Sequence, residues 1–243
     1  MTSAIKTKEL TKKYADIKAV DGLNLEVYEG ELFALLGVNG AGKTTTIRML
    51  TGLSAPSAGT AEVFGKDVVK EIDEVKKIVG ISTQDTAVAE KLTVEENLRF
   101  MAQLYFADTE DKVRINEKVE KMIDIFKMQE VRNKKAKTLS GGWQRKLSIA
   151  MAVIGEPKVL FLDEPTLGLD VLARRELWRT VEDLKKNTTI ILTTHYMEEA
   201  QSLADRIGIM IKGKLVKTGT LEELEKETGK KGLEEVFISV AEA

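Results

Sequence analysis

The 243-residue chain has no cysteine, which excludes a disulfide framework, a thiolate zinc site and a catalytic thiol, and suits a reducing compartment. Its sole histidine, His195, rules out a metal site built from clustered imidazoles. Aromatic residues make up 5% of the chain, and 37 Lys and Arg nearly cancel 39 Asp and Glu. A basic surface interleaved with aromatics is therefore missing, and nucleic acid is not an expected partner. Long apolar runs are missing too: the longest, around Ile149 to Ile154, is cut off by Gly155-Glu156-Pro157, far short of the roughly 18 residues of a membrane span. The amino terminus lacks the apolar stretch of a signal peptide, so a chain soluble by itself is expected. Only three prolines occur (Pro56, Pro157, Pro165), and no Pro-rich or Gly/Ser-rich linker divides the sequence. The length suits one large domain with at most a modest subdomain.

What is present is an alternation of strand-like and helix-like segments. Ala4 to Leu10 and Leu23 to Val27, with a Glu29-Gly30-Glu31 turn, read as antiparallel strands. Leu32 to Leu36 is apolar throughout and ends at Gly37, as a strand buried on both faces does. A helix from about Lys43, a strand Thr60 to Phe64, a charged helix Val68 to Lys77 and a strand Ile78 to Ser82 follow. From Thr93 to Ile154 the spacing is helical only: Thr93 to Phe106, opened by a Thr-x-x-Glu capping box, then Lys112 to Met128 and Gly142 to Ile154. After Pro157, strands Lys158 to Asp163, Thr189 to Thr194 and Ile207 to Ile211 alternate with helices Leu172 to Lys186 and Met197 to Ala204. Leu221 to Lys231 reads as a charged surface helix and turn.

This pattern predicts an α/β protein with a mainly parallel sheet flanked by helices, an N-terminal antiparallel β subdomain and an inserted α-helical subdomain. The expected divisions of the single domain, 1–243, are a core from 1–85 and 157–225, a helical subdomain at 86–156 and a C-terminal extension at 226–243.

Gly37-Val38-Asn39-Gly40-Ala41-Gly42-Lys43-Thr44 satisfies G-x-x-x-x-G-K-[ST] and falls between a buried strand and a helix. Its glycines let backbone N–H groups face phosphates, Lys43 reaches the β- and γ-phosphates, and the Thr44 hydroxyl is placed to ligate Mg²⁺. Val159 to Pro165 is a buried strand ending in two carboxylates. Adjacent residues at a strand end point different ways, so Asp163 suits the Mg²⁺ shell and Glu164 a general base for water. Thr188 to His195 repeats the design, delivering one imidazole where it could meet a γ-phosphate. Thr138-Leu139-Ser140-Gly141-Gly142-Trp143 is by itself a capped helix start with an anion-friendly end.

In order and spacing, Gly37 to Thr44, Leu139 to Gly142, Leu162 to Pro165 and His195 resemble the nucleotide-binding subunits of ATP-binding cassette (ABC) transporters, and the resemblance covers nearly the whole chain. It implies a P-loop NTPase core, Mg²⁺-dependent ATPase activity with ATP and Mg²⁺ bound, and work as a dimer on the cytoplasmic face of the cell membrane. Ser140, Gly141 and Gly142 would be the signature motif, pressed against the γ-phosphate held by a second nucleotide-binding subunit, identical or not. Gln84 matches the Q-loop glutamine, Tyr14 the aromatic that stacks on adenine, and Asp170 of Leu167-Gly168-Leu169-Asp170 the D-loop residue at the dimer interface. The implied catalytic set is Lys43, Gln84, Glu164 and His195, and the metal set Thr44, Gln84 and Asp163. Nucleotide contacts would come from Tyr14, Gly37, Asn39, Gly40, Ala41, Gly42, Lys43, Thr44, Thr45, Ser140, Gly141, Gly142 and Asp170.

Trp143 stands where the family commonly has glutamine, Val38 replaces a frequent proline and Leu167 a frequent serine. The ending Gly232 to Phe237 is similar to the tails of ATPases serving drug, lipid, polysaccharide and sodium exporters, so export through an integral-membrane transporter subunit is the expected role. A GTPase would need Asn-Lys-x-Asp, and Asn133-Lys134-Lys135-Ala136 lacks the aspartate. A non-transport ABC ATPase with a soluble partner, such as an iron–sulfur assembly ATPase, is the alternative.

Overall fold

The computed structural model describes residues 2–106 and 112–242. Its first half runs β1 (Ser3–Tyr14), β2 (Ile17–Leu23), β3 (Glu26–Tyr28), β4 (Leu32–Leu36), α1 (Lys43–Leu50), β5 (Ala58–Val63), β6 (Lys66–Asp67), α2 (Ile72–Ile78) and β7 (Val79–Ser82). Then come α3 (Val94–Tyr105), α4 (Lys112–Ile125), α5 (Gly141–Val153), β8 (Val159–Asp163), α6 (Val171–Lys185), β9 (Thr189–Thr194) and α7 (Met197–Leu203). The chain ends with β10 (Arg206–Ile211), β11 (Lys214–Gly219), α8 (Leu221–Thr228) and α9 (Leu233–Ala241).

Two sheets result. In the larger, ordered β11-β10-β4-β9-β8-β7, every pair from β10 to β7 is parallel and β11 adds an antiparallel edge. The smaller is antiparallel, with β5 along one edge of β1 and β2 and β3 along the other. The central strands β4, β8 and β9 are buried at every position, as a parallel sheet covered on both faces requires. Alternation divides β8 between two cores: Val159 and Phe161 join the cluster under the antiparallel sheet and α1, whereas Leu160 and Leu162 join the one shared with α3, α4 and α5.

Several boundaries differ from the sequence pattern for local reasons. Helix α2 starts at Ile72 rather than Val68 because Asp67 accepts hydrogen bonds from the N–H groups of Val69 and Lys70, both at 2.9 Å, and holds that stretch as a turn. Helix α4 stops at Ile125 because Lys127 takes a left-handed conformation, φ 54°, and Met128 N–H donates back to Ile123 O at 2.8 Å. The unanticipated β11 is reached through Lys212 and Gly213, both with positive φ, a two-residue hairpin turn. The unanticipated α9 packs Leu233, Val236 and Phe237 against Ala34, Leu36 and Ile207 of the larger sheet. The capping box at Thr93 and Glu96 is present as expected.

Glu95, in the first turn of α3, pairs with Arg99 at 2.8 Å and with Arg132 at 2.6 Å, and Arg132 reaches Glu120 of α4 at 2.6 Å. Arg132, followed by Arg99, holds the Glu95 carboxyl at about 2, against an ordinary 4.5. A depressed carboxylate stabilises the fold fully above its unfolded pKa and loses that contribution as pH falls towards the folded one. Glu95→Gln should therefore cost on the order of 1 kcal/mol at neutral pH, with the difference from the parent shrinking as the pH falls from about 4.5 to about 2. Thermal melts across that range check this; equal melting temperatures at pH 7 would refute it.

Candidate functional site

Register brings the motifs together. Leu36 of β4 pairs with Thr194 of β9, Asp163 of β8 with Thr193, and Ser82 of β7 with Leu162. The residues that follow these strands, Gly37, His195, Glu164 and Gln84, consequently emerge at one carboxyl edge, where open α/β sheets bind ligands. Only glycine suits the loop between β4 and α1 at two points. A Cβ on Gly37 would strike the Met210 carbonyl, and one on Gly42, which has φ 104°, would strike the Ala19 carbonyl oxygen.

Lys43, the first residue of α1, is 4% exposed. Its Nζ donates to Gly37 O at 2.8 Å and Val38 O at 3.3 Å, and lies 3.2 Å from Glu164 Oε1. Glu164 is also buried and has φ 48°, a strained conformation for a side chain this long. Its N–H is shared between Thr193 O and Thr193 Oγ1, both at 3.1 Å. His195 Nδ1 stands 3.2 Å from Glu164 Oε2 without hydrogen-bond alignment, and its ring leans on Tyr196, centroids 4.1 Å apart. Beside them Asp163 Oδ1 accepts from Thr193 Oγ1 at 2.6 Å and from Thr44 Oγ1 at 3.0 Å.

These groups surround a cleft of about 530 Å³. Tyr14, Asn39, Gly40, Ala41, Gly42, Lys43, Thr44, Thr45, Gln84, Glu164 and His195 line it, with Ala19 and Leu167. Gly37 and Asp163 lie beneath its floor through their bonds to Lys43 and Thr44. Ser140, Gly141, Gly142 and Asp170 do not line it. Ser140 and Gly141 are exposed at the start of α5, and the Ser140 hydroxyl makes no capping bond. Asp170 caps α6, its Oδ1 accepting from the N–H groups of Leu172 and Ala173 at 2.9 Å. Gly142 faces Ala173 and Leu169 closely enough that an added Cβ would touch both, so the α5 start meets Leu169 and the first turn of α6 outside the cleft.

Sequence reading missed Arg145. This buried side chain donates to Thr83 O at 2.7 Å and Gln84 O at 2.5 Å, joining α5 to the segment that carries Gln84. Burial lowers its guanidinium from the usual arginine value, and the Asp163 and Asp85 charges oppose that shift. Its place one helical turn after Gly141 was the available signal. Trp143 is also tied down, with Lys146 Nζ 4.5 Å from its ring centroid and the same Nζ 2.6 Å from Glu176 of α6.

A parallel sheet presenting a glycine-rich loop, its lysine, and an aspartate bonded to the loop threonine defines a P-loop nucleoside triphosphatase. Residues 20–167 match the ABC transporter family model, and the chain belongs to that family. The daunorubicin/doxorubicin resistance ATP-binding protein DrrA of Streptomyces peucetius is 44% identical over 229 residues, 94% of this chain and 68% of DrrA. The phospholipid-transporting ATPase ABCA3 of Homo sapiens is 42% identical over 233 residues, which span 94% of this chain but 14% of that protein. A solved ATP binding subunit of an ABC transporter superposes with a TM-score of 0.87 at 27% identity, covering 98% of this chain and 99% of that one.

Gly42→Ala should destabilise the chain by about 1–3 kcal/mol, because the residue must hold positive φ against a backbone carbonyl, and should abolish nucleotide binding. Melting temperature and titration with a fluorescent nucleotide check both; parental affinity would overturn the role of the loop.

Proposed function

We propose that this chain hydrolyses ATP with Mg²⁺ and that the hydrolysis drives export through a separate membrane-spanning subunit. The observation that carries the reading is the buried meeting of Lys43, Glu164 and His195 beside the Thr44 and Asp163 oxygens. DrrA, a drug-resistance ATP-binding protein, favours export over import, and ABCA3, a phospholipid-transporting ATPase, favours transport. A soluble-partner ATPase has no such support.

Glu164 is the base that takes the proton of the attacking water. Its Oε1 faces Lys43, so triphosphate oxygens that draw Lys43 towards them also release the carboxylate. His195 steadies Glu164 and the terminal phosphate, Gln84 contacts metal and water from the cleft wall, and Tyr14, 45% exposed, offers a face on which a base stacks. Thr44 and Asp163 fit Mg²⁺: they are hard oxygen donors held 3.0 Å apart, and Mg²⁺ takes few protein ligands when phosphates complete its shell. Among the described residues no group of three or more His, Cys, Asp or Glu converges as a metal site, in keeping with that division. Bound Mg²⁺ would supply charge neutralisation at the phosphates.

Because Ser140, Gly141, Gly142 and Asp170 do not line the cleft, their γ-phosphate and interface roles belong to a sandwich with a second nucleotide-binding subunit. Residues 1–85 with 157–225, 86–156 and 226–243 are the units that move in it. The segment after Gln84 leads into α3, which exposes Phe100 and Leu104 towards a membrane partner. No helix among the described residues is long and apolar enough to cross a membrane, so attachment to the cytoplasmic face runs through that partner.

Glu164→Gln keeps the shape and removes the base, so ATP hydrolysis should fall by about 10²–10⁴-fold; turnover at the parental rate would refute the assignment. The mass of this variant by light scattering should double on adding ATP, and an unchanged mass would remove the sandwich. His195→Ala should slow turnover with little loss of ATP affinity, since its contact strengthens in the transition state. Equal losses in binding and turnover would mark a structural histidine instead.

A further inference from the structure

Helix α5 is fastened along β7 by one face. A Cβ on Gly80 would strike the Ala152 carbonyl oxygen, the Ser82 and Ser148 hydroxyls share a hydrogen bond at 3.0 Å, and Arg145 holds the carbonyls of Thr83 and Gln84. Arg145, Ser148 and Ala152 succeed one another at the three- and four-residue spacing of a single helix face. Beyond this seam the chain is held more sparsely. Apart from the Thr83 hydroxyl, which donates to Asp85 O at 2.7 Å, the bond from Arg145 to Gln84 O is the only hydrogen bond reaching residues 84–88 among the described residues. The next fastening is at Ala89, whose N–H donates to Asn97 Oδ1 at 2.8 Å and whose carbonyl accepts from Asn97 Nδ2 at 3.1 Å.

Arg145 is 5% exposed, and its two bonds go to neutral carbonyls rather than to a carboxylate. A guanidinium taken out of water without an ionic partner is costly, and an apolar side chain of similar length would fill the space more cheaply. What the guanidinium adds is its fork: two donors on one rigid plane grip two consecutive carbonyls, which fixes the backbone where it leaves the sheet. Gln84, one of the two residues gripped, lines the cleft with Lys43 and Thr44. We propose that Arg145 is a positioning residue for Gln84, its guanidinium holding the backbone of Thr83 and Gln84 so that the Gln84 side chain stays at the cleft wall. Arg145 does not itself line the cleft; it acts through Gln84. The role deepens the ATPase reading, in which Gln84 contacts metal and water, and rests on it.

The chain has no cysteine, so Ala87→Cys supplies one thiol for a nitroxide label at an exposed position of the 84–88 segment. The EPR line shape of that label reads segment mobility without nucleotide or turnover. In the full labelled chain, Arg145→Met, which keeps an apolar stem and loses both donors, should narrow the lines. Ser148→Ala, which removes the bond one turn further along the same seam, should leave them as in the parent. Turnover in Arg145→Met should fall by about tenfold or more, with affinity for a fluorescent ATP analogue within about threefold of the parent's. Arg145→Lys, whose ammonium can reach both carbonyls as Lys43 does at Gly37 and Val38, should lose less on both counts. Because the effect runs through Gln84, Arg145→Met added to Gln84→Ala should slow turnover no further than Gln84→Ala alone. Should Arg145→Met not fold, Arg145→Gln, which loses the charge and one donor arm, takes its place in each comparison. A parental line shape in whichever of these two is used would overturn the proposal, as would equal narrowing in Ser148→Ala or losses that multiply in the double variant. A parent chain that hydrolyses no ATP would instead sink the ATPase reading, while the line shapes would still decide whether Arg145 holds the segment.

Discussion

The buried contact between Lys43 and Glu164 is the interaction around which this edge of the molecule is arranged. Two opposite charges, each nearly removed from water, are tolerable only together, because leaving either one unpaired costs several kcal/mol. Lys43 belongs to the first turn of α1 and Glu164 to the loop after β8, so the pair fastens two elements far apart in sequence. Across it the buried ammonium and carboxylate neutralise one another.

That contact depends on strand register. β4, β9 and β8 are neighbours in parallel, with Leu36 level with Thr194 and Asp163 level with Thr193. A slip of one residue would turn Leu160 and Leu162 towards the wrong core and carry Glu164 away from Lys43. Thr193 adds a local lock, its backbone and hydroxyl oxygens receiving the Glu164 N–H while its hydroxyl donates to Asp163. The left-handed conformation of Glu164 is thus held from both sides.

Helix α5 links this edge to the surface beside it. Its exposed start carries Ser140 and Gly141, and one turn later Arg145 is bonded to the carbonyls of Thr83 and Gln84. The segment carrying Gln84 and the exposed start of α5 are thus tied to one and the same helix.

Much of this was legible without coordinates. The all-apolar runs of β4, β8 and β9, the glycine-rich loop, the paired carboxylates at a strand end and the Thr93 capping box are local signals, because short-range sterics and burial periodicity write them directly into consecutive residues. The turn at Asp67, the left-handed stop at Lys127 and the Lys212-Gly213 hairpin are local as well, but use residues with weak preferences, so pattern misplaced the first two elements and overlooked β11. Helix α9 was missed because its apolar residues matter only once Ala34 and Leu36 offer them a face. Tertiary structure alone decided that Arg145 bonds the Gln84 carbonyl and that Ser140 and the adjoining glycines lie outside the cleft. Each depends on which strands became neighbours and in what register, and long-range pairing leaves no periodic trace in the residues it joins.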